Sequence, residues 1–372
     1  MQARCDVVVV GAGLLGLAAG RALARRGADV IVLEQAEIGH AAGGSKGSCR
    51  IFRLGYPDAG YVALAQRARE PWAELEAECG QQVLHPVPQL TFGPKLDEVT
   101  DAMEAAGATC ALLPAEAVAA RFPQLTIDGP ALLEPDSCVI SADAALRALA
   151  AAVPGIRTGV AVTGLADDGR EVTVRADATG AGGGEGIVTA RAAVVCAGPW
   201  TSGLLAPAGI HVPSAATLEQ VGYLAPAAAA GPAGEPDTTV PIFIGHGGEE
   251  FYGLPVPGSP LYKIGRHHSG PAADLSALDQ GPDEFLTARL AELARRYLPD
   301  FSPDVVQTER CVYDDSPDED FIVDRVGNVV IGSGTSGHGF KFGPLLGEWL
   351  ADLAIGRSGD PAARGFSLSR FS

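Results

Sequence analysis

The chain has 372 residues, a formal charge of −18, 47% hydrophobic and 19% charged residues. That length buries a large core and suggests about two domains of an ordered globular protein. The charge argues against nucleic acid or an anionic membrane as partner, since both require concentrated positive potential. No apolar stretch is long enough to span a bilayer and the N-terminus has no signal-like segment, so a cytoplasmic protein is expected. Seven cysteines, an odd number without C-x-x-C, fit reduced thiols, and no metal spacing is evident.

The first predicted element is a strand over 7–10, which runs directly into Gly11-Ala12-Gly13-Leu14-Leu15-Gly16. A helix follows to a stop at Gly27, and a second apolar run over 30–33 is closed by Glu34. Strand, glycine turn, helix, strand and acid in this order describe a dinucleotide-binding βαβ unit. Gly11 permits the tight turn, Gly13 lets backbone amides approach a pyrophosphate, and Gly16 lets the helix pack on the sheet. The phosphates then lie at a positive helix end. Glu34 accepts hydrogen bonds from an unphosphorylated ribose, so FAD or NAD fits better than NADP.

A Gly/Ser-rich loop over 41–48 leads next to Cys49-Arg50-Ile51-Phe52-Arg53. Apolar residues at helical spacing predict a helix over 61–78, with Pro71 inside it. Residues 81–137 mix short β-like runs, an amphipathic segment and prolines, and read as an insertion. A helix over 142–152 and strands over 159–165 and 171–175 return to the nucleotide domain, and the Gly/Ala stretch 178–186 reads as a hairpin loop. The strand 192–196 ends in Ala197-Gly198-Pro199-Trp200, a small-residue turn expected beside the nucleotide.

A second excursion, 212–308, holds strand-like runs over 220–224, 240–244, 250–254 and 261–267, an Ala/Gly/Pro-rich loop over 225–234, and a helix over 282–297. The acidic run 314–320 reads as a solvated turn, and strands over 321–324 and 328–333 with a helix over 344–355 close the first domain. The expected fold is α/β. A Rossmann-like FAD-binding domain (1–85, 138–212, 308–372) is interleaved with a mixed antiparallel-sheet substrate domain (86–137, 213–307).

The nucleotide fingerprint, Cys49-Arg50-Ile51-Phe52-Arg53, the segment 194–200, Lys263-Ile264-Gly265-Arg266-His267, Arg310-Cys311-Val312-Tyr313, the segment 316–324 and Gly334-Thr335-Ser336-Gly337-His338-Gly339-Phe340-Lys341-Phe342 occur in this order. Over nearly its whole length the chain resembles the amine-oxidising FAD family of monomeric sarcosine oxidase, N-methyltryptophan oxidase and pipecolate oxidase. The resemblance implies FAD held covalently by a thioether from Cys311 to the flavin 8α carbon. It implies that Lys263 promotes reaction of reduced flavin with oxygen, where a fixed cation stabilises developing negative charge. Arg53 and Lys341 are implied to clamp the substrate carboxylate, the guanidinium through two parallel hydrogen bonds and the ammonium as a point charge.

Tyr252 and His267 are implied pocket residues, and Arg50 matches a residue at the flavin's edge. Alternation along a strand agrees in placing Lys263, Gly265 and His267 on one face. Small residues of the loop 334–342, Gly337 and Gly339 among them, let backbone amides crowd the flavin's pyrimidine end. Ala197, Gly198 and Trp200 border the cofactor in the same comparison. The chain departs from the sarcosine-oxidase pattern at Lys46, which replaces a histidine near the flavin, and at Cys49, which replaces a threonine. Lys46 can pair with the cofactor, bind a second acidic group or lower the pKa of a bound amine.

The implied reaction oxidises a secondary α-amino acid, N-alkyl or cyclic, to an imine while O2 becomes hydrogen peroxide. Amino- or imino-acid substrate and O2 are the expected partners, without nucleic acid or membrane, for a monomer or weak homo-oligomer. A flavin dehydrogenase using another acceptor, a noncovalent primary amino-acid oxidase and a non-catalytic FAD-binding interaction protein share parts of the pattern.

Overall fold

The computed structural model describes residues 2–179, 184–227, 240–247, 250–278 and 281–372. Parts of the expected loops 178–186 and 225–234 lie outside the described residues. One eight-stranded sheet is built around Gln2–Val10, which runs parallel to Val30–Leu33 on one side and to Glu185–Val195 on the other. Alternation along this strand feeds two cores. Val7 and Val9 pack with the helices Leu14–Arg25 and Gly343–Ala354, whereas Val8 and Val10 pack with the antiparallel pair Val160–Asp167 and Val172–Ala178. A parallel strand covered on both faces explains the unbroken apolar run that marks it in the sequence.

The second eight-stranded sheet runs in the order Phe301–Asp315, Ala215–Pro226, Tyr262–Arg266, Glu250–Pro255, Ile242–His246, Gln89–Phe92, Ala131–Glu134 and Ala111–Leu113. Its pairs are antiparallel except Ile242–His246 with Gln89–Phe92. The helix Glu284–Tyr297 covers one face through Leu290, Leu293 and Ala294. A small third sheet joins Cys49–Phe52 with Cys138–Ser141 and Leu84–Pro86; its Phe52 and Ile140 pack in the core of Val7 and Val9, and its Cys49 and Val139 pack with Val221 and Tyr223 of the second sheet.

Register decides what the second sheet presents. Opposite residues share a face: Cys311 lies opposite Glu219, Lys263 opposite Tyr223, and Gly265 opposite both Val221 and Tyr252. Since these positions on Ala215–Pro226 are two residues apart, Cys311, Lys263 and Tyr252 face one way.

The sequence does not announce Phe301–Asp315. It is an edge strand whose polar residues and Pro303 mask the period, and the border expected at 308 falls inside it. Glu185–Val195 likewise reaches further back than the expected 192–196. The acidic run 314–320 is not wholly a solvated turn. Asp314 is buried, accepts the Ser333 hydroxyl at 2.6 Å and the Gly334 N–H at 2.8 Å, and so anchors the glycine loop that follows. Burial pushes its carboxyl above the ordinary value.

Candidate active site

A cavity of about 520 Å³ runs from the fingerprint to the second sheet. All the site residues expected from sequence line it except Gly16. Gly16 acts one layer back: a Cβ there would collide with Gly11 O, so its hydrogen is what allows helix and strand to touch. Gly11 has φ +97°, and a Cβ would strike Cys196 O.

The helix Leu14–Arg25 opens on the cavity with Gly13, which has no side chain of its own to cap it, as N-cap. Ser45 Oγ accepts the Leu14 N–H at 3.0 Å, tying the 41–48 loop to this end. Glu34 is buried and accepts the Ala12 N–H at 2.7 Å and the Ala36 N–H at 3.0 Å, with His40 Nε2 3.5 Å away. Burial works to raise its pKa, but these partners outweigh it and keep the carboxyl below its ordinary value. Ala197, Gly198 and Trp200 form the opposite wall, with the Trp200 ring 6.4 Å from that of His40. A helix N-terminus opening on the cavity, glycines at which a Cβ would strike neighbouring backbone and a buried acid fit the pyrophosphate and ribose of a dinucleotide such as FAD.

Lys263 and Cys311 lie in the middle. Lys263 is 2% exposed, donates to Cys49 O at 3.1 Å and stands 5.8 Å from the Tyr223 ring centre. Burial, then the Arg50 charge, push its pKa down. Arg50 donates to Cys49 O at 2.9 Å and to Lys46 O, so its fork fastens the loop that carries Lys46. Cys311 is a buried free thiol, as Cys49 is. The Tyr313 ring lies against Gly337, where a Cβ would collide with it, and 5.6 Å from the His267 ring. Burial, then His268, push His267 down to about 3, so it is neutral. Burial raises Tyr252.

The far end gathers Arg53 and Lys341 around Tyr56. The Arg53 guanidinium lies 4.2 Å from the Tyr56 ring centre and donates to Gly55 O. Lys341 is 4% exposed, and its Nζ donates to Tyr56 Oη at 2.7 Å and His338 O at 2.8 Å. Burial, then Arg53, hold its pKa well below the ordinary lysine value. Buried Glu134 accepts the N–H groups of Leu54 and Gly55, each at 3.0 Å, and Gln89 Nε2 at 2.7 Å. It thereby fixes the bend that delivers Arg53 and Tyr56. Trp72 Nε1 donates to Lys341 O at 2.7 Å and fixes the other cation's backbone.

Sequence reasoning did not single out Tyr56, His338, Tyr313 or Glu134. The first three lie within or beside quoted motifs, so proximity to Arg53, Lys341 and Cys311 was an available signal. Glu134 carries none, because its role depends on Leu54 and Gly55, far away in sequence.

The chain matches the family described as FAD dependent oxidoreductase over residues 6–353. It is 31% identical to the peroxisomal sarcosine oxidase of Homo sapiens, over 98% of this chain and 96% of that protein. It is 30% identical to the monomeric sarcosine oxidase of Bacillus sp. (strain NS-129), over 100% of this chain and 98% of that protein. Among solved structures, NikD, an unusual amino acid oxidase essential for nikkomycin biosynthesis, in its open form, matches with a TM-score of 0.82 and 26% identity, over 95% of this chain and 94% of that one. A cavity shaped for a dinucleotide and kinship over nearly the full length lead to one assignment: the chain belongs to the FAD dependent oxidoreductase family, as a sarcosine oxidase-like member.

Proposed function

We propose that the protein oxidises a secondary α-amino acid, N-alkyl or cyclic, to its imine and converts O2 to hydrogen peroxide. The observation that carries this reading is the meeting of Arg53 and Lys341 over one tyrosine ring at the cavity wall. Among the described residues neither side chain makes an ion pair, so the site offers two nitrogen donors to an anion from outside. A carboxylate satisfies both, which favours an amino acid over a simple amine.

FAD, when bound, supplies the acceptor for a hydride equivalent and the two electrons for oxygen. Gly11, Gly13, Glu34 and the turn Ala197, Gly198 and Trp200 hold its nucleotide part, with Gly337 and Gly339 beside the ring system. Cys311 is the thioether tether, and Lys46 and Arg50 border the flavin. Tyr252 and His267 form the pocket wall beside the substrate. Lys263, a buried cation, stabilises negative charge as it develops on dioxygen. The cytoplasm is the assigned compartment, for a monomer or weak homo-oligomer. Among the described residues no helix is long and apolar enough to cross a membrane.

Lys263→Met tests the oxygen role by separating the half-reactions. Anaerobic bleaching by substrate proceeds at the parent's rate while reoxidation in air slows. Unchanged reoxidation removes Lys263 from the reaction. The tether is tested by acid precipitation: the yellow colour stays with the parent protein and is released from Cys311→Ser.

A further inference from the structure

We propose that Lys341 is the proton acceptor for the incoming amino acid, standing uncharged before the ligand binds and taking the ligand's ammonium proton as it grips the carboxylate. This rests on the reading of Arg53 and Lys341 as a carboxylate clamp.

The hydrogen-bond inventory around Lys341 closes in only one way. Glu319 O can only accept, so His338 Nε2, 3.0 Å away, carries the ring hydrogen. Burial above all holds His338 well below its ordinary pKa, and it is neutral. Its Nδ1 is therefore an acceptor, and the Tyr56 hydroxyl hydrogen, 3.2 Å between heavy atoms, goes to it. Tyr56 Oη is left to accept from Lys341, as is His338 O. Two hydrogens of Lys341 are thus claimed by the protein whether the group is ammonium or amine. The remaining valence, on a residue that lines the cavity, is an N–H in one state and a lone pair in the other.

The surroundings favour the lone pair while no ligand is bound. Arg53 shares the Tyr56 ring with Lys341, and His267, from the end of Tyr262–Arg266, is neutral. The helix Ala59–Cys79 contributes Trp72 and Tyr61, which carry no charge here. Glu134, on Ala131–Glu134, acts the other way, but its oxygens are committed to Leu54, Gly55 and Gln89. Burial and Arg53 prevail. A bound carboxylate reverses the balance, because an anion beside the nitrogen favours its charged form.

Ammonium and carboxylate of an α-amino acid share one carbon, so a group gripping the carboxylate is within reach of the nitrogen's proton. One N–H bond of the ligand breaks, one forms on Lys341, and the total charge is conserved. The ligand's nitrogen keeps the electron pair that loss of a hydride from the adjacent C–H requires.

The experiment is titration calorimetry of the holoenzyme at pH 8 with cyclopentanecarboxylate, a ring acid with no amine to give a proton, in phosphate and in Tris. The buffer dependence of the heat gives the protons exchanged. About one proton is taken from the buffer per ligand bound in the parent, and none in Lys341→Arg, which keeps a permanent charge, or in Lys341→Met if the arginine variant does not fold. Saturable binding without proton uptake in the parent overturns the proposal and leaves the clamp standing. Uptake that persists in the variants assigns the proton to another group and overturns it too. Absence of any binding overturns the clamp, and the proposal with it.

Discussion

At the nucleotide end of the cavity the proposed contacts come mainly from the backbone: a helix N-terminus, glycines where a Cβ would collide, and one buried acid that itself accepts two backbone N–H groups. At the proposed substrate end the contacts come from side chains, in a network of Arg53, Tyr56, His338 and Lys341 held in place by Glu134 and Trp72. The first end recognises a cofactor part that many proteins share and admits little variation. The second is adjustable residue by residue, which is where the proposed function puts substrate choice.

That contrast can be broken most sharply at Gly11. Gly11→Val places a branched side chain at φ +97° against Cys196 O, and the purified protein is expected to carry no flavin, read from its visible spectrum. Lys341→Met is expected to leave flavin content intact while lowering kcat/KM by about 10²–10³, the scale for truncating one partner of a buried charged contact. Steady-state kinetics beside the flavin spectrum separates the two ends. Tyr56→Phe removes the hydroxyl between Lys341 and His338, and a loss of about tenfold in kcat/KM is expected, the scale of one or two ordinary hydrogen bonds.

The smallest effect is on stability. His267 and His338 are neutral in the fold with depressed pKa values, against an ordinary value of 6.5. Their contribution is fully present above pH 6.5 and is lost as the pH falls from there toward the folded values, about 3 for His267, because the unfolded chain binds protons first. The melting temperature of the holoenzyme should therefore drop across this window, with a shallower drop in His267→Gln.

The same contrast governs how much the sequence discloses. The nucleotide end is legible because its determinants are local: Gly11, Gly13, Gly16 and Glu34 stand at fixed offsets in one βαβ unit, and the parallel strands show as apolar runs. Lys263, Cys311, Arg53 and Lys341 are legible only through family resemblance, since no spacing connects residues from different segments. Glu134 and Asp314 are not legible at all, because the donors that each buried carboxylate accepts, Leu54 and Gly55 for one and Ser333 and Gly334 for the other, are brought near only by the folded chain. Phe301–Asp315 escapes for a related reason: its polar residues and proline break the alternation that betrays a strand.

Anaerobic mixing of the holoenzyme with N-alkyl and cyclic α-amino acids, and with the amines that remain when their carboxylates are removed, tests the clamp most directly. If Arg53 and Lys341 select the substrate, the acids bleach the flavin and the matching amines leave it oxidised. Equal bleaching by acid and amine would contradict the account.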